Sequence, residues 1–319
     1  MFILKNKSIV RFSKNLGKFI FPLCIMTFIL FEGRSIFKGI DFRQVMNIIN
    51  NTPKINLVIY FIAAVAAVTC LCAYDMILSD YYNFQVPLRK TYKISWVCVT
   101  FNNIIGLGGL TGASIRTYLF KKENIKTTDL INYNMILVPS TIVGLGILSL
   151  LSVFNIFNTH EILRVYPWLW LAILVFTAVI PLYFFLGNFQ WLNNKLKKFN
   201  LYFEGSINVK LKLTFISTID WISRGLLFYI IAKTFKGNVN VLSVIGIDVI
   251  ASVAGLISFI PSGIGSYDVV ALMGLAILGY SPNIALSIIL LFRVFYFIIP
   301  WAIGGILMVE TIMKSFFKD

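Results

Sequence analysis

Six stretches of this chain stay apolar for about twenty residues or more, and a soluble core has no room for six such runs. A bilayer core of about 30 Å takes about 20 apolar residues as a helix. The runs 16–37, 55–78, 131–157, 166–186, 211–235 and 284–312 all meet that length. In lipid the backbone N–H and C=O groups must be bonded within the segment itself, which a helix achieves. Composition agrees. Hydrophobic residues make up 58% of the chain and charged ones 13%, against roughly 45–50% and 25% in soluble domains. The reading is an all-α integral membrane protein.

Two further apolar regions are interrupted. In the first, 94–105 runs into Gly106-Leu107-Gly108-Gly109-Leu110-Thr111-Gly112 and resumes over 113–120. In the second, 241–260 meets Pro261-Ser262-Gly263-Ile264-Gly265-Ser266 and resumes over 269–279. An arm of twelve residues is about 18 Å long, roughly half of the core. Glycine and proline break helices, and irregular backbone at membrane depth is tolerated only when buried in protein or lining a wet cavity. Each region is therefore read as a re-entrant pair, broken at Gly108, Gly109 and Gly112 and at Pro261, Gly263 and Gly265. Two ordinary spans with a tight turn are the alternative, which allows up to eight predicted transmembrane helices.

The order span, span, broken pair, span then occurs twice. It fills 16–157 and 158–312, after a basic leader (1–15) and before a short tail (313–319). Three net crossings per half make the second an inverted repeat of the first. Broken helices in matching positions of inverted halves are the layout of an alternating-access transporter, with the two breaks expected to meet near the midplane.

The 28 basic and 13 acidic residues give a net charge of +15, which in a soluble chain suggests nucleic acid. Here topology absorbs it. With the N-terminus inside, eighteen Lys and Arg fall on cytoplasmic segments, seven on outer ones and three at apolar depth. That is the positive-inside pattern, so both termini are expected in the cytoplasm and no nucleic-acid partner is expected. The leader resembles a signal peptide, but Glu32-Gly33-Arg34 follows it in place of a small-x-small cleavage site, so run 16–37 is read as a retained helix. His160 is the one histidine, and Cys24, Cys70, Cys72 and Cys98 form no C-x-x-C pair. No phosphate-binding P-loop motif occurs either, so no cofactor and no metal are expected.

An ionisable residue inside a span costs at least about 2.5–3.5 kcal/mol on the insertion scale, which makes each one a candidate. Asp75 lies near the end of the second run. Asp220 and Arg224 share one helix face at i,i+4 spacing, as cavity lining or as an internal ion pair. Asp248 interrupts the second broken region, and Arg293 interrupts the last run, with either a structural partner such as Asp248 or a substrate as its expected contact. Arg116 and Asp268 stand just beyond the glycine breaks. Arg116 beside a helix N-terminus, with Thr111 and Ser114, is a candidate phosphate site; Asp268 either caps its helix or receives a cation. A phosphate site with Asp75, Asp220 and Asp248 as acidic lining suits a lipid headgroup that carries phosphate and ammonium. An amino acid or a drug-like cation would use the same lining.

These residues also carry a resemblance. Phe101-Asn102-Asn103-Ile104-Ile105-Gly106-Leu107-Gly108-Gly109 and Gly112-Ala113-Ser114-Ile115-Arg116 resemble the first signature of the flippase half of the MprF (multiple peptide resistance factor) family, the lysylphosphatidylglycerol synthase transmembrane family. Ile257 to Asp268 is similar to its proline-glycine-glycine signature, with Ser262 where a glycine is usual. Leu278-Gly279-Tyr280-Ser281-Pro282 and the stretch from Phe292 to Pro300 continue the likeness, which covers about 15–312. Asp75, Arg116, Asp220 and Asp268 match positions where that family has functionally important charges; Asp248 and Arg224 match less firmly.

The resemblance implies a flippase that moves lysyl-phosphatidylglycerol to the outer leaflet, where the cationic lipid repels antimicrobial peptides. Full-length members add a cytoplasmic domain that takes lysine from lysyl-tRNA. The chain ends at Asp319, soon after its last run, so the transport half alone is expected, without lysyltransferase chemistry of its own. The expected partners are the aminoacylated phospholipid, the membrane, and a separate synthase or a second copy. Three alternatives stay open: the membrane part of a lysyltransferase system, a translocator of isoprenoid-linked or other lipids, and a scaffold.

Overall fold

A computed structural model describes residues 39–106, 109–185, 194–195, 197 and 205–316. The leader, the run 16–37, Cys24, Glu32 and Gly108 lie outside the described residues, as does the end of the tail. Every regular element among the described residues is a helix. In chain order they are α1 (Phe42–Asn50), α2 (Lys54–Tyr81), α3 (Leu88–Ile105), α4 (Leu110–Lys121), α5 (Thr127–Val153) and α6 (His160–Val165). Then come α7 (Trp168–Phe185), α8 (Ile207–Phe235), α9 (Val241–Ile257), α10 (Ser266–Ile277), α11 (Pro282–Arg293) and α12 (Ile299–Phe316). A π-helical turn, Val294–Ile298, joins α11 to α12. It lies where Pro300 has no N–H to return to the carbonyl one turn back.

Among the described residues, five segments are long and apolar enough to cross a membrane: α2, α5, α7, α8 and the joined α11–α12. They coincide with five of the six expected spans. Helix α7 presents Leu171, Leu174 and Leu182 outward, each at least half exposed, as a surface solvated by lipid requires. The protein is a multi-pass membrane protein.

Differences from the sequence reading sit at polar ends. Helix α3 begins at Leu88, six residues before its apolar run, because Pro87 stands at its N-cap and a charged turn costs nothing outside lipid. That turn is used: Lys90 pairs with Glu123 at 2.5 Å and Lys93 with Glu310 at 3.1 Å. Helices α1 and α6 were not foreseen. Helix α1 is short and amphipathic, started by the Asp41 side chain, which accepts from the N–H groups of Arg43 and Gln44.

Both broken regions fold back on themselves. In the first, the Gly112 N–H donates to Asn102 Oδ1 at 3.2 Å, while Ile94, Val97 and Cys98 pack with Leu119 and Phe120. In the second, a Cβ on Gly263 would lie 3.0 Å from the Cα of Gly255, and one on Gly274 would lie 2.7 Å from Ile247. Arms α4 and α10 have 12 residues each, about 18 Å, too short to cross the hydrocarbon core.

The two breaks also touch each other. The Ser262 hydroxyl lies 2.8 Å from the Asn103 carbonyl and 2.6 Å from that of Ile104. A Cβ on Gly106 would come within 3.4 Å of Pro261 Cα. A third close approach holds α8 against α5. A Cβ on Gly144 would lie 2.3 Å from the Ser217 carbonyl carbon, and the Gly144 N–H donates to Ser217 Oγ at 2.8 Å. Trp221 Nε1 donates to the Thr141 carbonyl at 2.8 Å. These bonds fix the rotation of α8, which aims Asp220 and Arg224 inward.

Candidate functional site: a cavity between the broken helices

A cavity of about 350 Å³ opens where the breaks meet. The first pair contributes Asn102, Asn103, Gly109, Gly112 and Arg116, and the second contributes Gly255, Ser262, Gly263 and Tyr267. Helix α8 adds Asp220, Trp221 and Arg224, and the rest of the wall is largely aliphatic and aromatic. Glycine is required on this wall for room: a Cβ on Gly109, at φ +88°, would press to 2.8 Å on Val138. Thr111 and Ser114, expected beside Arg116, are not among the lining residues.

Arg116 is already occupied. Its Nε and Nη2 donate to the two carboxylate oxygens of Asp75 at 2.6 and 3.0 Å, and Nη1 donates to Asn134 Oδ1 at 3.1 Å. Asp75 also accepts from Ser95 Oγ at 2.5 Å and from the Tyr133 hydroxyl at 2.7 Å. Both partners are buried. A bidentate pair satisfied on every side is the arrangement in which a buried charge is tolerated. Asp75 therefore stands behind the cavity wall and Arg116 at it.

Arg224 pairs across to α9, not with Asp220 on its own face. Its Nη2 lies 3.4 Å from Asp248 Oδ1, and Nη1 donates to Ser252 Oγ at 2.6 Å. Asp248 Oδ1 also accepts from the Tyr267 hydroxyl at 2.7 Å. Four rings surround the guanidinium, those of Trp221, Tyr267, Phe292 and Tyr296, with centroids 5.1–5.3 Å away. Cation–π attraction strengthens as water is excluded. Among the described residues, Asp220 receives only the Tyr74 hydroxyl, at 3.4 Å on Oδ2.

Arg293 takes Asp268, not Asp248. Its Nε and Nη2 lie 2.9 and 2.7 Å from Asp268 Oδ1, and its Nη1 donates to the Ser262 carbonyl at 2.7 Å. Asp268 Oδ2 accepts the Gly265 N–H at 2.8 Å, which caps α10. Of the two roles expected for Asp268, the cap is present, and the cation beside it is Arg293.

The supporting groups Ser95, Tyr133 and Asn134 and the rings around Arg224 had escaped the sequence reading. Their signal was a polar or hydroxyl-bearing residue inside an apolar run, as in Asn132-Tyr133-Asn134. Spacing alone could not name the charge each one serves. Among the described residues no cluster of His, Cys, Asp and Glu could hold a metal.

Several curated proteins are similar to this chain in sequence. Phosphatidylglycerol lysyltransferase of Bacillus subtilis (strain 168) is 25% identical over 291 residues, covering 90% of this chain and 33% of that protein. The enzyme of the same name in Staphylococcus aureus (strain MSSA476) is 29% identical over 290 residues, 91% of this chain and 33% of its own length. That of strain COL is 30% identical over 269 residues, 84% and 31% respectively. The chain thus spans about a third of the curated relatives it matches. The family described as lysylphosphatidylglycerol synthase TM region matches residues 19–304. With nine-tenths of its length inside that match, the chain belongs to the lysylphosphatidylglycerol synthase transmembrane-region family.

Proposed function

We propose that this protein is a lipid flippase of the bacterial cell membrane. It carries lysyl-phosphatidylglycerol, or a similar aminoacylated phospholipid, to the outer leaflet and so lowers susceptibility to cationic antimicrobial peptides. Both termini are cytoplasmic, and the halves 16–157 and 158–312 are inverted repeats that rock about the cavity. The observation that carries this reading is the cavity itself: charged groups of both signs in a mostly apolar pocket, closed by contact between two helix breaks. An apolar wall with a few placed polar groups suits one amphiphile. Parting the breaks on alternate sides moves a headgroup without drawing its charges through lipid.

The test supplies cells with a lysyl-phosphatidylglycerol synthase and labels outer-leaflet amines with a membrane-impermeant reagent. The chain is expected to raise outer-leaflet lysyl-lipid without changing the total. An unchanged outer leaflet rejects this substrate. The relatives' name favours a second reading, in which the chain is the membrane part of a lysyltransferase system acting with a synthase. Purified chain that makes lysyl-lipid from lysyl-tRNA and phosphatidylglycerol would establish that reading over ours.

A further inference from the structure

Three carboxylates at membrane depth have an arginine: Asp75 with Arg116, Asp248 with Arg224, and Asp268 with Arg293. Asp220 has none. Its Oδ1 is buried with no hydrogen-bond partner, although the residue lines the cavity and is only 4% exposed. One turn away on the same wall, Arg224 is 7% exposed and its Nε has no acceptor. An unanswered acceptor and an unanswered donor therefore stand side by side on one helix face. Buried polar groups are almost always paired, so each such exception calls for an account.

The rings around Arg224 fix the plane of its guanidinium, and Asp248 and Ser252 hold its two terminal nitrogens. Nε is left as the free donor. Arg116 offers no equivalent, because Asp75 and Asn134 engage all three of its nitrogens.

We propose that Asp220 and Arg224 form a two-point subsite that reads a headgroup bearing both charges: Asp220 Oδ1 accepts from its ammonium and Arg224 Nε donates to its phosphate. The proposal rests on the reading of the protein as an aminoacyl-lipid translocator, and it moves the phosphate contact from Arg116 to Arg224. Side chains at i,i+4 stand about 5–6 Å apart at Cβ, a gap that the ester and glycerol between the two charges can bridge. Charge-assisted hydrogen bonds in a dry cavity supply the selectivity.

The full chain in detergent is titrated by calorimetry with short-chain lysyl-phosphatidylglycerol and with short-chain phosphatidylglycerol. Wild type binds the lysyl-lipid more tightly. Asp220→Asn removes a charge with little change of shape. It is expected to weaken lysyl-lipid binding about tenfold, the loss of one charge-assisted bond, while phosphatidylglycerol stays within about twofold. Arg224→Gln weakens both lipids about tenfold. Should it fail to fold, Arg224→Lys keeps the charge, loses Nε and is expected to act in the same direction. An Asp220→Asn protein that keeps the full preference for lysyl-lipid, or weakens both lipids alike, overturns the subsite. That result leaves the leaflet assay untouched. Conversely, a confirmed subsite with no outer-leaflet gain sinks translocation alone, and a wild type without preference for the lysyl-lipid sinks both.

Discussion

The two broken pairs reach similar shapes with opposite chemistry. Past the first break the charged residue is Arg116, and its partner Asp75 comes from a preceding helix; past the second it is Asp268, and its partner Arg293 comes from the following one. The first pair is sealed: its side chains are 3% and 0% exposed and it bonds side chains only. The second is 13% and 21% exposed, and it holds backbone, the Ser262 carbonyl and the Gly265 N–H. The first break is thus anchored to the bundle from behind, whereas the second has a partly exposed clamp on the loop itself. A buried pair resists opening because neither charge can turn to water. A less buried clamp can exchange partners at smaller cost. In the proposed transport cycle, the second break is expected to be the one that moves.

Variants break this comparison in a graded order. The largest effect is expected at the sealed pair. Arg116→Ala or Asp75→Ala leaves one charge buried alone, at a cost of about 3–5 kcal/mol, seen as early thermal unfolding in detergent. The double change Arg116→Met with Asp75→Leu is expected to recover most of that stability, because an apolar pair of similar size carries no desolvation penalty. A double variant no better than the singles would show that the pair does more than satisfy itself.

At the clamp the cost is smaller. Asp268→Ala or Arg293→Ala is expected to lose about 1–3 kcal/mol, the range for a hydrogen bond to a charged group. The sharper readout is local: a cysteine placed at Ile264, which is already exposed, should react faster with a maleimide once the clamp is gone. Equal reactivity with and without the clamp would remove the distinction between the breaks.

Ser262→Gly should change stability least. The hydroxyl link to the first break is worth about 1 kcal/mol, but Ser262 sits at φ +55°, where glycine is favoured by a similar amount. Near-zero change in unfolding temperature with faster lipid movement is the expected outcome. A large loss of stability would mean that the link holds the fold.

How much of this could be read in advance follows from how far apart the partners lie. The span 55–78 became Lys54–Tyr81 and 211–235 became Ile207–Phe235, because apolar length is a local property. The glycine-rich breaks were equally legible, since helix breaking is local too. Pairing was not. Asp75 and Arg116 are 41 residues apart, and Asp268 and Arg293 are 25 apart, so only the fold selects between carboxylates. The i,i+4 spacing of Asp220 and Arg224 allowed either a mutual pair or cavity lining; Asp248 on α9 takes the arginine, and both residues line the cavity. Hydropathy passed over α1, whose cue was Asp41 before an amphipathic turn.

The central claim is that the headgroup crosses where the two breaks part. Its most direct measurement uses purified chain in liposomes, its native cysteines replaced by alanine and new cysteines placed at Ile104 and Ser262. Lysyl-phosphatidylglycerol reaching the outer leaflet is followed by amine labelling before and after a cleavable thiol crosslinker joins the two positions. The account predicts that crosslinking stops the movement and cleavage restores it. Movement at the full rate with the breaks joined would contradict it.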